Sequence, residues 1–440
     1  MATLNPFRGL RYDPARVPDQ AAVVAPPYDV IDAGERDRLY ARAPYNAVRL
    51  ICNRAGDPYA DAARTLAAWR RGGVLHVDAA PTLYLYAQRF PTEGGPCERV
   101  GVIGALRLEP ADGSTILGHE RTRAHAVSDR RRLLEACATA LSPIFGLVSS
   151  PGWGFATLVP ERAPDVDVTD DAATRHRVWR LVDPAVIEAV TTHCRGRHVF
   201  IADGHHRFET ALDYARAMRR AAGASAPAPG TAGYDYTLGY LTTLEDPGLV
   251  VLPTHRTLAR LPVAPDAVRA AVARWFAVTD LPWNDDGVAR LRAWLGAPRP
   301  DPGALRIGIA ARAAGKLWML AARAEDLPFD AATPPELRAL DVTALHEIVL
   351  GRGLGLPVTG APEGLAYTQD AAAALAAVAS GAASAAFLLP ATDLAAIRDV
   401  SLAGLSMPAK STFFHPKLLT GLVFYPHDTP EESREAAAAR

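Results

Sequence analysis

Apolar residues along this 440-residue chain follow two rhythms. In some stretches they fall three or four apart, as on one helix face. In others they run unbroken between turn-forming residues, as in a buried strand. The sharpest change between the two lies at 198–220. His198-Val199-Phe200-Ile201 reads as a strand, whereas Phe208, Leu212, Ala215 and Met218 share a helical face. Between them stand Ala202-Asp203-Gly204-His205-His206-Arg207. A strand, a glycine and a helix start make a natural anion site, because unpaired amides and the positive end of the helix dipole converge there. Two histidines, an arginine and an aspartate add charge and proton-transfer groups. The simpler alternative is a polar turn in which Asp203 caps the helix.

The same two rhythms predict the rest of the chain. Residues 26–31 (PPYDVI) form a proline-stiffened segment that aims Tyr28 and Asp29. Residues 47–52 read as a strand. Asp57-Pro58 supplies a cap and a first-turn proline for a helix to about Arg71, which Gly72-Gly73 stops. Residues 82–90 and 99–108 form a hairpin. A basic helix spans 128–139, with Arg130, Arg131 and Arg132 at its start, where they oppose the dipole unless they meet an anion. Strands follow at 141–148 and 178–182, and a helix capped by Asp183-Pro184 leads into the 198–220 motif.

The segment GASAPAPG at 223–230 reads as a disordered linker. The expected organisation is an N-terminal lobe at 1–222, a linker at 223–233, strands with an α/β insertion at 234–335, a C-terminal segment at 336–427 that completes the site, and a frayed tail at 428–440. Within these lie strands at 234–243 and 249–252, helices at 265–276 and 287–295, and a hairpin at 305–310 and 316–322. A helix beginning at 340–343 carries His346 and Glu347; helix, strand and helix follow at 370–379, 385–389 and 394–402, and a last strand at 418–425. The fold class is α/β or α+β with a mixed sheet.

Composition narrows the function classes. The net charge of −1 gives no global pull toward nucleic acid or anionic membrane. No run reaches the ~20 apolar residues of a membrane span. Cys52, Cys97, Cys137 and Cys194 form no CxxC pair and read as reduced thiols, so a cytoplasmic location is expected. His119-Glu120 lacks the spacing of a zincin, and Gly152-Trp153-Gly154 lacks the third glycine of a dinucleotide turn. Gly404 to Ser411 imitates a phosphate loop but has Ala409 where its second glycine belongs. Even so, Lys410 and Lys417 are two of only three lysines, and with Ser411 and Thr412 they suit a phosphate or carboxylate contact.

Read together, PPYDVI at 26–31, YNAVRL at 45–50, His119-Glu120 with Thr122, Asp129-Arg130, LSPIFGL at 141–147, ADGHHRFETAL at 202–212, LPTHR at 252–256, Leu345-His346-Glu347 and MPAKSTFFHPKLLTG at 407–421 resemble the family called domain of unknown function 1015, over roughly 4–426. The 203–207 turn is also similar to the phosphate-binding turn of the ParB/sulfiredoxin superfamily, which includes free serine kinases. That resemblance implies a ParB/sulfiredoxin-like core elaborated by hairpins and helices, with ATP or ADP held at the turn. His205 stands where sulfiredoxin has a cysteine, which puts reductase chemistry in doubt.

The implied activity is a nucleotide-dependent phosphotransferase acting on a small hydroxyl metabolite, such as a hydroxy-amino acid like serine. A nucleotide-sensing regulator or a phosphate-ester hydrolase would use the same cradle. Phosphoryl transfer needs cations on the phosphates, a metal and a base. Asp203, Gly204, Arg207, Lys410, Ser411 and Thr412 are expected to bind nucleotide, and Asp203 to contact Mg²⁺. His205 or His206 would stabilise the transferring group, and Asp29 or Glu120 would be the base. Tyr28, Arg130, Arg256 and Lys417 would hold substrate.

Overall fold

Two strands that face each other across a tight turn set the architecture of the first half. Leu83–Thr92 and Gly95–Arg107 pair antiparallel in register from Tyr84 opposite Ile103 to Thr92 opposite Gly95. Every residue from Leu83 to Gln88 is buried, as is every residue from Arg99 to Leu106. Burial on both faces explains why these segments read as near-continuous apolar runs rather than alternating ones.

The computed structural model describes residues 2–109, 114–311, 315–358 and 362–427. They fall into two compact units. One comprises Met1–Gly118, Thr122–Val250 and Pro416–Arg440; the other comprises His119–Arg121 and Val251–His415. The tail expected to fray, 428–440, lies outside the described residues.

The first unit is built on a nine-stranded mixed sheet. In chain order its strands are β1 (Leu4–Asn5), β2 (Leu83–Thr92), β3 (Gly95–Arg107), β4 (Ile116–Leu117), β5 (Ile144–Val148), β6 (Val166–Thr169), β7 (Arg175–Leu181), β8 (Val199–Asp203) and β9 (Tyr236–Thr243). They lie in the order β4-β8-β5-β9-β3-β2-β7-β6, with β1 paired to β3. The β4–β8 and β5–β9 pairs are parallel and the others antiparallel. One core of this unit packs Leu85, Val102, Trp179, Val199 and Ile201 with Phe208 from the helix that follows β8. A second core gathers Leu66, Trp69, Leu133, Cys137 and Phe424.

The second unit carries a six-stranded sheet of β10 (His255–Leu258), β11 (Ala277–Pro282), β12 (Ala304–Ala311), β13 (Lys316–Arg323), β14 (Leu365–Thr368) and β15 (Ala385–Leu388). Its order is β11-β13-β12-β15-β10-β14, antiparallel throughout. The protein is therefore mixed α/β, with a large mixed sheet elaborated by helices and hairpins. Among the described residues, no helix is long and apolar enough to cross a membrane.

Where capping chemistry is local, sequence and structure agree. Asp57 accepts from the Tyr59 and Ala60 amides at the head of Pro58–Arg71, and Asp183 caps Pro184–Cys194. Elsewhere the structure departs. Residues 47–52 form a short helix, Val48–Ile51, rather than a strand. Asn46 is the cause: its Oδ1 accepts the Val48 amide at 2.9 Å, and its Nδ2 donates to the carbonyls of Ala22 and Val24. That local bond outcompetes the β preference of the apolar run.

The expected strand at 418–425 is also broken up. Thr420 bridges to Ala25, Phe424 to Leu10, and only Tyr425–Pro426 pairs as a strand, with Thr139–Ala140. The basic helix starts at Ala124, so its arginines sit beyond the first turn. The break expected at 223–233 falls inside the first unit, between the helix ending at Ala222 and β9. It is tied down, because Asp235 accepts the Gly230 and Ala232 amides and pairs with Arg219.

Candidate functional site

β8 ends at Asp203, and the 18-residue helix His205–Ala222 begins two residues later. Gly204 makes the turn with φ of 93°, a left-handed conformation that glycine adopts without strain. Space demands glycine as well, since a Cβ there would lie 3.0 Å from the Arg207 guanidinium. Gly204, as the N-cap, brings no side chain to the helix start. Arg207 folds back over Gly204 and donates both to Asp203 and to the Pro143 carbonyl. The other Asp203 oxygen takes the ammonium of Lys417.

Asp203 is therefore shared by two cations. Burial pushes the Asp203 carboxyl up, but Lys417 and Arg207 overcome this and hold it well below the usual carboxylate range. It is an anion at neutral pH and anchors the cations. With both oxygens so engaged, it does not have the open geometry expected of a Mg²⁺ contact, and among the described residues no group of three or more His, Cys, Asp or Glu side chains is placed to hold a metal.

Lys417 stands 214 residues from Asp203, and the sheet puts it there. On the β2–β3 hairpin, Gln88 faces Arg99. Arg99 donates to the Pro416 carbonyl at 2.6 Å and Gln88 to the Lys417 carbonyl at 3.0 Å, so the backbone either side of the lysine is fixed by two buried side chains. The Arg99 guanidinium also lies 4.6 Å from the Phe145 ring centroid. Sequence reading passed over both residues. The available signal was a polar pair at facing positions of two otherwise apolar strands, which needs the hairpin register to be seen.

Beside Arg207 lies a small pocket of about 60 Å³, lined by Tyr28, Arg130, Ser142, Thr210 and Thr237 among others. Arg130 donates to Asp129 at 2.7 Å and to the Ile51 carbonyl at 2.8 Å, and lies 4.2 Å from the Tyr28 ring centroid. Burial raises the Asp129 carboxyl, but the Tyr59 hydroxyl, donating at 2.7 Å, and Arg130 reverse the shift and lower it. Tyr28 caps no extended arm; it opens a one-turn 3₁₀ helix, Tyr28–Val30, after the extended Pro27. Burial raises its hydroxyl pKa, and the neighbouring Arg207 partly offsets the rise. Asp29 is exposed next to it.

The two histidines differ. His205 is 6% exposed and packs so closely on Gly118 that a Cβ there would meet its ring at 2.9 Å. His206 is only partly buried, and its Nε2 accepts the Arg123 amide at 3.0 Å. The first unit thus gathers Tyr28, Asp29, Arg130, Asp203, Gly204, His205, His206, Arg207 and Lys417.

The remaining expected residues, Glu120, Arg256, Lys410, Ser411 and Thr412, belong to the second unit. Glu120 is partly buried and bridges to Met407. Thr412 Oγ1 hydrogen-bonds His119 Nε2 at 2.9 Å. The 408–412 turn has the wrong polarity for a phosphate cradle. Its Ala409 and Lys410 carbonyls accept from Arg256, and Ser411 Oγ turns inward to the Pro408 carbonyl at 2.5 Å. A phosphate loop presents amides; this one presents carbonyls to a guanidinium. Lys410 is exposed and left-handed, with φ of 58°.

Several solved structures resemble the chain at low identity. A free serine kinase in complex with AMP is similar at 12% identity and a TM-score of 0.34, over 71% of this chain and 86% of that one. A conserved hypothetical protein from Pyrococcus furiosus matches at 11% and 0.32, over 72% and 92%. C-terminally truncated SbnI from Staphylococcus aureus matches at 10% and 0.36, over 77% and 92%. Likenesses at these TM-scores carry no argument about activity. No curated protein matches. A family model described as a protein of unknown function (DUF1015) matches residues 4–343, and the chain belongs to that family.

Proposed function

We propose that this member of the DUF1015 family binds the phosphates of a nucleotide at the start of the His205–Ala222 helix and transfers a phosphoryl group to a small hydroxyl metabolite. One observation carries the reading. The glycine-led helix start lies beside Arg207 and Lys417, two cations gathered on the Asp203 carboxylate, and a pocket lined by Arg130 opens next to Arg207. Backbone amides, helix dipole and cations then act on one anion.

In this arrangement Asp203 positions Arg207 and Lys417 and takes no part as an acid. Arg207 and Lys417 turn toward the phosphates while keeping Asp203 as their counter-ion. The carboxylate available as a base on the acceptor hydroxyl is Asp29, which is exposed beside the pocket-lining Tyr28. His206 reaches the site from the first turn of the helix, with its Nε2 accepting the Arg123 amide. ATP or ADP with Mg²⁺ is the donor expected of this chemistry, and the metal would neutralise charge between the phosphates. A hydroxy-amino acid such as serine is the first acceptor to try.

The test is calorimetric titration of the full chain with AMP, ADP and ATP, repeated with Arg207→Ala. At least tenfold weaker binding is expected in the variant, equivalent to ~1.4 kcal/mol. Unchanged binding removes the assignment. Incubating the protein with nucleotide, Mg²⁺ and L-serine then separates a kinase, which makes phosphoserine, from a sensor that only binds.

A further inference from the structure

A cavity in the second unit has a volume of about 630 Å³, within the range of small-molecule sites. Arg256 and Thr254 form part of the wall. The Arg256 side chain is 1% exposed. Its guanidinium donates to the Thr254 carbonyl, to the Lys410 carbonyl at 2.9 Å and to the Ala409 carbonyl at 3.4 Å, and lies 5.5 Å from the Tyr367 ring centroid.

Among the described residues, no carboxylate pairs with Arg256, its Nε has no hydrogen-bond partner, and neither does the Thr254 hydroxyl. Burial pulls the guanidinium pKa down to about 10, with only Tyr367 opposing. At neutral pH the group is still a cation. A buried cation without a counter-ion costs several kcal/mol, and carbonyl dipoles offset only part of that. The missing component is an anion.

The rest of the wall limits what kind. Leu340, Val342, Leu389 and Pro390 supply an apolar side. Most of the lining carboxylates already have partners. Asp341 pairs with Arg299, Asp301 with Arg323 and Asp399 with Arg398, while Asp393 caps the helix Leu394–Leu402. Glu336 is partly buried and has no such partner among the described residues. The cavity therefore holds one cation in need of an anion and one anion in need of a cation, separated by apolar wall.

We infer that this cavity binds a zwitterionic small molecule, with its carboxylate on Arg256 and Thr254, its ammonium toward Glu336 and its carbon skeleton against the apolar side. The inference is independent of the phosphate reading, since every residue it uses lies in the second unit.

Titration calorimetry of the full chain against the twenty protein L-amino acids is the first measurement. For the tightest binder, the amine lacking its carboxylate and the acid lacking its amino group are then compared. At least one amino acid is expected to bind, with each truncated analogue at least tenfold weaker and Glu336→Gln weakening the amino acid at least tenfold. Arg256→Gln is expected to abolish binding. Because that variant removes a buried group on which three carbonyls depend, the ligand comparison on the unaltered chain is decisive. The inference is overturned if no amino acid binds, or if the amine or the deaminated acid binds as tightly as the parent.

Discussion

Arg207 and Arg256 are both sheltered from solvent, yet they are stabilised in opposite ways. Arg207 faces Asp203 and shares it with Lys417. Among the described residues no carboxylate pairs with Arg256, which is held by backbone carbonyls. The first arrangement adds a second cation to an ion pair, and in the second no carboxylate pairs with the guanidinium among the described residues. The paired design fixes geometry, because two cations are pinned to one carboxylate. The unpaired design stores electrostatic cost that only a bound anion relieves. A cluster of mutually satisfied charges and a lone buried charge are therefore different signs of a binding site.

The largest effect that tests this contrast is expected from Asp203→Ala. It strands two cations in a buried position and should destabilise the protein by about 3–5 kcal/mol in denaturant titration. A loss below about 1 kcal/mol would mean that the triad is no anchor.

Acid titration should then separate the two regions. Burial, with help from Arg256, holds His255 and His346 down at about 4, below the ordinary histidine value of about 6.5. In that window the unfolded chain binds protons that the folded chain refuses, so stability falls as pH drops from about 6.5 to about 4, on the order of 3 kcal/mol for each histidine. Asp203 behaves differently. Its stabilisation is complete above the ordinary carboxylate pKa of about 3.9 and is lost only as pH falls further, toward its depressed folded value. Residue-resolved hydrogen exchange should show the second unit weakening first, and His346→Gln should reduce the loss between pH 6.5 and 4.

Arg256→Met should cost about 1–3 kcal/mol, less than Asp203→Ala. It leaves carbonyls unmet but removes an unpaired charge. A cost as large as that of Asp203→Ala would show that the two arginines are not of different kinds. The smallest effect is expected from Gly204→Ala, about 1–2 kcal/mol by thermal denaturation. The methyl group must accept a left-handed backbone and crowd Arg207.

How far the sequence could reveal these features follows from the range of the forces involved. The Pro58–Arg71 and Pro184–Cys194 helices were legible because an aspartate and a proline next to it define each start. The β2–β3 hairpin was legible because its strands are neighbours in sequence. Val48–Ile51 was misread because Asn46 spends its side chain on two carbonyls and an amide of distant and local backbone alike. The 203–207 turn was recognised as charged, and its glycine as the link between strand and helix start. Its lysine partner was named but assigned to substrate, since nothing in the chain announces a contact across 214 residues. Arg256 was likewise picked out, while its defining property, the lack of a carboxylate, exists only once neighbours are in place. The phosphate-loop imitation at 404–411 failed for a reason invisible in letters: the direction in which its peptide groups point.

Lys417 also sets a timetable. Asp203 and Arg207 leave the ribosome together, but Lys417 follows 214 residues later, a delay on the order of 10–40 s at about 5–20 residues per second. Through that interval the carboxylate has Arg207 but not Lys417. A nascent chain can thus form the turn before its second cation arrives. That cation joins late in synthesis, when the lysine-bearing segment returns to the sheet that was laid down first.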